Sequence, residues 1–491
     1  KLPVMFCWPF DGGKFITLPV IHTKDPHNGI RNVGMYRMQI YDEKTTGMHW
    51  HKHKVSAKHF NEYKKLGKRM PVAVALGGDP VYTYAATAPL PENVDEYMLA
   101  GFLRKKKVTL VRCITQPEIE VPEDADFIIE GYIDPTEDLR IEGPFGDHTG
   151  FYSLPDLYPI FHVTCITHRT HAVYPSTIVG IPPQEDAWIG KATERIFLAP
   201  IKMTMVPEIL DMNMPVEGVF HNLVLTKIEK SFAGQAQKVM NAMWGAGQMM
   251  FNKILVITDE SADLNDYEAV AKHVFKHLNA ATDIYFSQGP MDVLDHSCSK
   301  MGFGGKMCID GTIKHEEEIS EETYQEEMHV SVAAIQSKYP EVKGVNTTLL
   351  AKDIACVIIS VQKQQTHHVQ KLTEALHADQ LMKGIKMVLI VDASSDVNDI
   401  SSCLWRVCNN FDPKRDAKVL KTFNQTHQSF ATIYIDGTRK TKQHDLFQRD
   451  WPNAIVSDKA TILAIDKKWA SLGLGALIDS PSLKYQDTVI G

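Results

Sequence analysis

The sequence NKILVITDESADLND at residues 252–266 recurs 133 residues later as IKMVLIVDASSDVND at residues 385–399. Each copy has an apolar run, then a first aspartate, then an Asp-x-Asn-Asp group. A short apolar run of this kind predicts a buried strand, and aspartates before the next amphipathic segment predict a capped helix. The repeated segment therefore predicts the same α/β unit twice.

Further matches extend the repeat in both directions. Gln237 and Lys238 correspond to Gln370 and Lys371 upstream, and Ile-Asp-Gly-Thr at 309–312 corresponds to the same tetrapeptide at 435–438. Each copy is predicted to run helix, strand, capped helix, strand. Two copies make a duplicated domain, since a solenoid needs at least three repeats.

The first part of the chain has a different pattern. Short β-branched or aromatic runs separated by turn residues predict strands, with helices at 53–66 and 93–103. This pattern is typical of a barrel or closed sheet with inserted helices. We predict an α/β (α+β) fold, with a split β-barrel domain followed by the duplicated α/β domain.

Composition excludes several classes of protein. The 491 residues carry 52 basic and 60 acidic side chains, a net charge of -8, so there is no electrostatic footprint for nucleic acid. No apolar run approaches the roughly 20 residues that span a bilayer. The eight cysteines form no CxxC pair and are expected to be reduced. We expect a cytoplasmic protein.

Glu142 and Asp147 flank the most informative motif, EGPFGDHTG at 142–150. A bend at its glycines would direct both carboxylates into one cavity, where their pKa values can be driven apart for acid–base chemistry. A polar surface turn is the alternative, and the motif alone leaves both open.

Two other patterns also leave alternatives open. Arg37 lies in a largely apolar run, where it either points to solvent or is buried and needs an acidic or phosphate partner. His49, His51 and His53 alternate, so on a strand they would share one face as metal ligands or as partly exposed side chains.

Taken in order, the motifs resemble the UbiD family of prenylated-FMN-dependent decarboxylases along nearly the whole chain. They are Asn32-x-Gly-x-Tyr-Arg37, Thr46-Gly47 followed by His53, Val74-Ala-Leu-Gly-Gly-Asp-Pro80, Glu96-Tyr97, Val121-Pro-x-x-Ala-x-x-Ile-x-Glu130-Gly131 and residues 142–150. Family members carry further residues before the position of Lys1, so we expect the chain to begin inside their N-terminal domain.

The resemblance assigns roles to six residues. Asn32, His53 and Glu96 match the ligands of a divalent metal, commonly Mn²⁺, that bridges to the cofactor phosphate, while His49 and His51 are then expected to be partly exposed. Arg37, Glu142 and Asp147 match the catalytic arginine and acids, with Arg37 also beside the cofactor. Position 147 holds Glu in many members, so Asp147 is one methylene shorter. A K⁺ ion is implied near residues 86–88.

The resemblance also implies the activity and its partners. The activity is reversible, non-oxidative decarboxylation of an aromatic or α,β-unsaturated acid, with 4-hydroxy-3-polyprenylbenzoate of quinone biosynthesis as one candidate. A flavin prenyltransferase would supply the cofactor, and a homo-oligomer, dimer or hexamer, is expected. A flavin-dependent oxidoreductase and a non-catalytic subunit of a decarboxylase complex are the alternatives.

The predicted domain boundaries combine the repeat with the resemblance. They are a remnant of an N-terminal α/β domain at 1–20, the flavin-binding split barrel at 21–190, a helical connector at 191–220, the repeats at 221–345 and 346–470, and a C-terminal tail at 471–491 as a possible oligomer contact.

Overall fold

The computed structural model describes residues 2–50, 54–320 and 322–489. The chain forms two compact units, one of residues 1–185 with 453–491 and one of residues 186–452. The domain boundaries predicted from the sequence stay a prediction. In the described ranges, no helix is both long enough and apolar enough to cross a membrane. All eight cysteines are free, as expected.

An antiparallel six-stranded sheet forms the centre of the first unit, in the order β3-β2-β6-β9-β14-β5. Small two-stranded ladders surround it. The strands are β1 (Phe15–Ile16), β2 (Val20–Lys24), β3 (Arg31–Met35), β4 (Met38–Gln39), β5 (Thr45–Gly47), β6 (Met70–Leu76), β7 (Leu110–Arg112), β8 (Glu120–Pro122), β9 (Phe127–Ile133), β10 (Arg140–Glu142), β11 (Phe145–Gly146), β12 (Tyr152–Ser153), β13 (Asp156–Tyr158) and β14 (Ile160–His168).

The central strand β6 is buried along its whole length, which explains its continuous apolar sequence. Ile21, Val74, Ile129 and Phe161 pack with it in one core. The sheet is open, because no ladder joins its edge strands β3 and β5 among the described residues. The predicted α/β class is confirmed, whereas a fully closed barrel is wrong; β5 has only three residues and offers few backbone groups for closure.

Three helices of this unit are α1 (Val55–Leu66), α2 (Pro80–Thr87) and α3 (Glu96–Arg104). Asp79 caps α2, whose first residue is Pro80, and Asp95 caps α3 by accepting a hydrogen bond from the Tyr97 amide. The cap at Asp95 makes Glu96 the first residue of α3, which places its carboxylate beside β3.

Two five-stranded sheets with the same topology make up the second unit, in the orders β15-β16-β17-β19-β18 and β21-β22-β24-β26-β25. In each, three parallel strands lie between antiparallel edge strands. The strands are β15 (Ile209–Asn213), β16 (Leu223–Ile228), β17 (Ile254–Thr258), β18 (Ile284–Pro290), β19 (Phe303–Asp310), β20 (His329–Val330), β21 (Val342–Asn346), β22 (Cys356–Val361), β23 (Met382–Lys383), β24 (Met387–Asp392), β25 (Ala417–Phe423) and β26 (Ser429–Asp436).

The helices of this unit stand before, between and after its strands in the sequence. They are α4 (Glu185–Thr204), α5 (Gln235–Trp244), α6 (Tyr267–His277), α7 (Val332–Lys338), α8 (His368–Ala378), α9 (Ile400–Asn410), α10 (Pro413–Asp416) and α11 (Lys442–Asp445).

The predicted duplication is confirmed by equivalent elements and equivalent contacts. The first residues of β15, β16, β17, β18, α5 and α6 each recur 133 residues later in β21, β22, β24, β25, α8 and α9. The Asn213 amide donates to the Leu264 carbonyl at 3.0 Å, and the corresponding Asn346 donates to Val397 at 2.7 Å. One apolar core contains residues of both repeats, so the second unit is one packed body.

The end of the chain returns to the first unit. The Ile455 amide donates to the Gly150 carbonyl at 2.9 Å, and the Tyr152 amide donates to the Asn453 carbonyl at 3.1 Å. Beyond these contacts lies α12 (Lys459–Lys468), capped by Asp458. The C-terminal segment therefore holds the loop between β11 and β12 in place.

Candidate active site

A buried arginine organises the site. Arg37 stands between β3 and β4 in the sequence, and its side chain is 8% exposed. Its Nε donates to Glu142 Oε1 at 2.8 Å and its Nη2 to Glu142 Oε2 at 3.1 Å, while its Nη1 donates to Asp147 Oδ2 at 2.5 Å. The structure thus brings together the three residues that the resemblance matched to the catalytic arginine and acids.

Glu142 ends β10 and Asp147 directly follows β11, and the chain between them bends as its glycines suggested. Gly143 has a φ of 89°, a conformation that favours glycine, and its amide donates to Gln39 Oε1 at 2.8 Å. Phe145 then lies under the guanidinium, with its ring centre 4.6 Å from the Arg37 Cζ. The motif is an interior turn, so the alternative of a polar surface turn is wrong.

Charge pairing inside the site overcomes the cost of burial. Burial raises the pKa of the Glu142 carboxyl, but the Arg37 charge and a hydrogen bond from His49 outweigh it and lower that pKa to about 2. Burial also raises the pKa of Asp147, but His148 and Arg37 bring it well below its ordinary value. The Arg37 pKa is raised, because the two carboxylates outweigh its burial. Both acids are therefore ionised at neutral pH.

Two histidines of the site were not predicted. His49 Nδ1 lies 3.0 Å from Glu142 Oε2, and His148 Nδ1 lies 3.1 Å from Asp147 Oδ1. Each acid thus has Arg37 on one side and an imidazole on the other. His49 belongs to the alternating histidines at 49–53, and His148 belongs to the motif at 142–150. Their spacing in the sequence does not predict that either imidazole contacts a carboxylate.

His49 corrects one expectation. It is buried and follows β5 instead of lying on a strand, with its ring centre 4.3 Å from that of Tyr158. Burial, and then the Arg37 charge, lower its pKa. His49 is therefore a neutral donor to Glu142, and the expectation of a partly exposed strand histidine is wrong for it. His51 lies outside the described residues.

Two of the three predicted metal ligands lie close together. Asn32 lies on β3 and donates to Ser56 Oγ at 2.9 Å, while Glu96 accepts a hydrogen bond from the amide of the next residue, Val33, at 2.9 Å. Burial raises the Glu96 pKa to about 7. His53 lies outside the described residues. Within those residues, no group of three or more His, Cys, Asp and Glu could hold a metal ion.

The donor chemistry of this region fits a hard divalent cation. The carboxylate oxygens of Glu96 and the amide oxygen of Asn32 suit a hard divalent cation such as Mn²⁺ better than a soft metal. A cation beside Glu96 would also offset the cost of burying its charge. Near the predicted K⁺ position, the Thr87 hydroxyl donates to the Tyr84 carbonyl at 2.7 Å at the end of α2, and the K⁺ site stays a prediction.

Comparison with protein families matches both parts of the chain. A model described as the 3-octaprenyl-4-hydroxybenzoate carboxy-lyase Rift-related domain (UbiD) matches residues 1–182. The C-terminal domain model of the same family (UbiD_C) matches residues 187–311 and 326–437.

Relatives from several organisms align with the chain. A protein of Archaeoglobus fulgidus is 50% identical over 320 residues, which are 65% of this chain and 66% of the relative. A protein of Helicobacter pylori J99 is 36% identical over 470 residues, which are 95% of this chain and 73% of the relative. The chain thus covers just under two thirds of the length of the first of these relatives.

Solved structures give the same match. The vanillic acid decarboxylase of Sedimentibacter hydroxybenzoicus in its closed form superposes with a TM-score of 0.61 at 26% identity, over 69% of this chain and 72% of the other. The UbiD-class enzyme HmfF of Pelotomaculum thermopropionicum, in complex with FMN, superposes with a TM-score of 0.59 at 26% identity, over 69% and 73%.

Proposed function

The chain belongs to the UbiD family of carboxy-lyases, and from this premise we propose that it removes the carboxyl group of an aromatic or α,β-unsaturated acid, using prenylated FMN. The reaction proposed is reversible and non-oxidative. The observation that carries the proposal is the buried contact of one guanidinium with two carboxylates, Arg37 with Glu142 and Asp147. Burying three charged groups together costs desolvation free energy, and this cost favours a functional role for them.

The reaction needs an electron sink that side chains do not provide. When bound, prenylated FMN supplies that sink for the carbon that loses CO₂. Asn32, Glu96 and His53 would hold the Mn²⁺ that binds its phosphate, and the chemistry of this donor set favours the assignment.

Arg37 has one further N–H group with which it could bind a substrate carboxylate. Four of its five N–H groups already donate, three to the acids and one to Ser153 Oγ at 2.9 Å. The fifth is on Nη1, next to Asp147. A substrate carboxylate bound there would lie beside Asp147, which we assign to deliver the proton that replaces CO₂, while Glu142 keeps Arg37 in place.

We extend the proposal to the substrate and the partners. A structural neighbour is a vanillic acid decarboxylase, which makes hydroxylated benzoic acids the first compounds to test, and 4-hydroxy-3-polyprenylbenzoate of quinone biosynthesis the second. We also propose a flavin prenyltransferase as cofactor supplier, a homo-oligomer and a cytoplasmic location.

The test is to produce the full-length protein together with a flavin prenyltransferase and to screen aromatic and unsaturated acids for CO₂ release. We expect bound-flavin absorbance and turnover of at least one acid. Asp147→Asn should keep the flavin and lose turnover by more than 100-fold, because an amide carries no acidic proton. Glu96→Gln should purify with little flavin, because it loses a charged metal ligand.

The same preparation separates the alternatives. Oxidation of NAD(P)H by the flavin-loaded protein would favour an oxidoreductase. A loaded protein that decarboxylates no acid of the panel would favour a non-catalytic subunit and contradict the proposal. Undiminished turnover in Asp147→Asn would remove that residue from the mechanism.

A further inference from the structure

His148 is the next residue after Asp147, and it contacts the same carboxylate twice. Its ring Nδ1 lies 3.1 Å from Asp147 Oδ1, and its backbone amide donates to that oxygen at 2.8 Å. The other oxygen, Oδ2, accepts from Arg37 at 2.5 Å. The Asp147 and His148 side chains are 11% and 17% exposed, so the pair lies at the edge of the buried site.

Asp147 alone is poorly suited to store a proton. A carboxylate that accepts a charged hydrogen bond from a guanidinium is ionised at neutral pH, and its pKa is lowered accordingly. The proton that replaces CO₂ must then reach Asp147 from a neighbouring group when the reaction needs it.

The other groups of the site are less suited to supply that proton. Glu142 is fully buried and binds Arg37 through both oxygens. His49 donates to Glu142 and is separated from Asp147 by Arg37. Among the described side chains that contact Asp147, His148 is the one whose ordinary pKa, near 6.5, allows it to gain and lose a proton around neutral pH.

We propose that His148 stores the proton and passes it to Asp147 for delivery to the substrate carbon. The inference rests on the proposed decarboxylation. The Nδ1–H bond of His148 breaks as an O–H bond forms on Asp147 Oδ1, and the Asp147 O–H bond breaks as the new C–H bond forms. No electrons are exchanged with a redox partner, and water returns a proton to His148. His148 acts through Asp147 and does not touch the substrate.

Other described charged and titratable groups lie near the Asp147–His148 pair. Arg37, His49 and Tyr158 interact electrostatically with Asp147, and Glu142 and Asp11 interact with Arg37 beside it.

The first test compares His148→Gln with the wild type in the flavin-loaded full-length enzyme. Gln keeps a hydrogen-bond donor beside Asp147 but carries no exchangeable charge. We expect kcat for CO₂ release to fall 10- to 100-fold, with KM and flavin content within about 2-fold of wild type. The pH dependence of kcat near neutrality should be lost, and added imidazole should restore part of the rate in His148→Ala.

His162 provides the matched control. Its Nε2 lies 2.6 Å from Glu137 Oε2, which makes an exposed histidine–carboxylate pair in the same unit, with His162 on β14. His162→Gln should leave kcat and its pH profile unchanged. A His148→Gln enzyme with wild-type kcat and pH profile would overturn the proposal.

A second readout needs no turnover. Titration of ¹³C-labelled histidine rings by NMR in the flavin-free protein, with His148 assigned by its absence in His148→Gln, measures the pKa of His148. Asp147→Asn removes the adjacent negative charge, so the His148 pKa should fall by about 1 unit. If the His148 pKa is the same in Asp147→Asn as in the wild type, the proposed contact between His148 and Asp147 is overturned, whether or not the enzyme decarboxylates any acid. If the pKa shifts as expected but no acid in the screen is decarboxylated, the result counts against the proposed reaction alone.

Discussion

Among the single residues of the site, Glu142 contributes to stability because it is fully buried and still ionised. Its pKa falls from an ordinary 4.5 to about 2 in the folded protein, since Arg37 and His49 outweigh its burial. A carboxyl with a lowered folded pKa stabilises the protein fully above its unfolded pKa, and that stabilisation is lost as the pH falls towards the folded pKa. The window is therefore about pH 4.5 to 2, and the shift corresponds to about 3 kcal/mol.

We predict that Glu142→Gln removes this part of the acid sensitivity. Urea unfolding of the flavin-free protein, followed by circular dichroism at steps from pH 6 to pH 2.5, should show a shallower loss of stability in the variant than in the wild type. Glu123→Gln, which changes an exposed carboxylate, is the control and should follow the wild type. Equal slopes for Glu142→Gln and the wild type would show that Glu142 is not held ionised by Arg37.

At the residue scale, the amino-acid patterns singled out Arg37, Glu142 and Asp147 but left a solvent-facing arginine and a polar surface turn open. The resemblance to the UbiD family assigned their roles, and the structure shows that the three side chains are buried and in contact. His49 and His148 were not assigned to the acid pair, because a histidine can be neutral and its burial then requires no charged partner. Only their distances of 3.0 and 3.1 Å to the two acids identify them.

At the scale of elements, β3 carries the proposed metal ligand Asn32 and leads directly to Arg37, the proposed catalytic arginine. Gly34 lies on this strand, and a Cβ there would come within 2.5 Å of the Tyr36 ring. The Tyr36 hydroxyl hydrogen-bonds with Ser56 and Asn32. A close approach between Gly34 and Tyr36 therefore holds Asn32 in position.

We predict that Gly34→Ala destabilises the protein by about 1–3 kcal/mol, because the tyrosine must move in a packed core. Flavin content should fall as well, since Asn32 loses its orientation. Gly101→Ala is the matched control, because its Cβ would meet only the Lys106 carbonyl, at an ordinary 3.5 Å, inside α3. That change should leave flavin content unchanged and raise stability by up to about 1 kcal/mol. Thermal unfolding and flavin absorbance check both, and equal behaviour of the two variants would contradict the role of Gly34.

The repeat elements were predictable because their pattern is strong. Strands β17 and β24 are buried over almost their whole length, so they appear as unbroken apolar runs with an aspartate at or just after their ends. The spacing changes at the last strands, in agreement with the tetrapeptides matched in the sequence: β26 follows β19 by 126 residues instead of 133, because the loop at 291–302 is longer than its counterpart at 424–428. Loop lengths are set by surface constraints and leave no periodic signal.

At the scale of the whole molecule, the duplication in the second unit extends to reciprocal contacts between the repeats. Lys253 in the first repeat donates to the Cys408 carbonyl of α9 at 2.9 Å, and the corresponding Lys386 donates to the Phe275 carbonyl of α6 at 2.6 Å. Phe275 and Cys408 are themselves 133 residues apart. The two repeats thus contact each other as the subunits of a symmetric dimer do.

The two lysines differ in how their charge is balanced, and this difference can be measured. Lys253 forms a fully buried ion pair with Asp295 at 2.7 Å, so Lys253→Met should cost about 3–5 kcal/mol by leaving that carboxylate unpaired. Among the described residues, no carboxylate lies within ion-pair distance of Lys386, and burial lowers its pKa to about 8. Lys386→Met loses a hydrogen bond but removes an unpaired buried charge, and should cost less than about 1 kcal/mol at pH 7.

The pH dependence of stability tests whether the buried charge of Lys386 is unbalanced. A lysine with a folded pKa near 8 and an ordinary pKa of 10.5 penalises the folded state fully below pH 8, and the penalty disappears as the pH rises to 10.5. The stability of the wild type relative to Lys386→Met should therefore rise between pH 8 and pH 10, as measured by urea unfolding of the full chain. Two results would contradict this: Lys386→Met losing as much unfolding free energy at pH 7 as Lys253→Met, or the stability of the wild type relative to Lys386→Met not rising with pH. Either result would mean that the buried charge of Lys386 is balanced. The two repeats would then be equivalent in electrostatics as well as in shape.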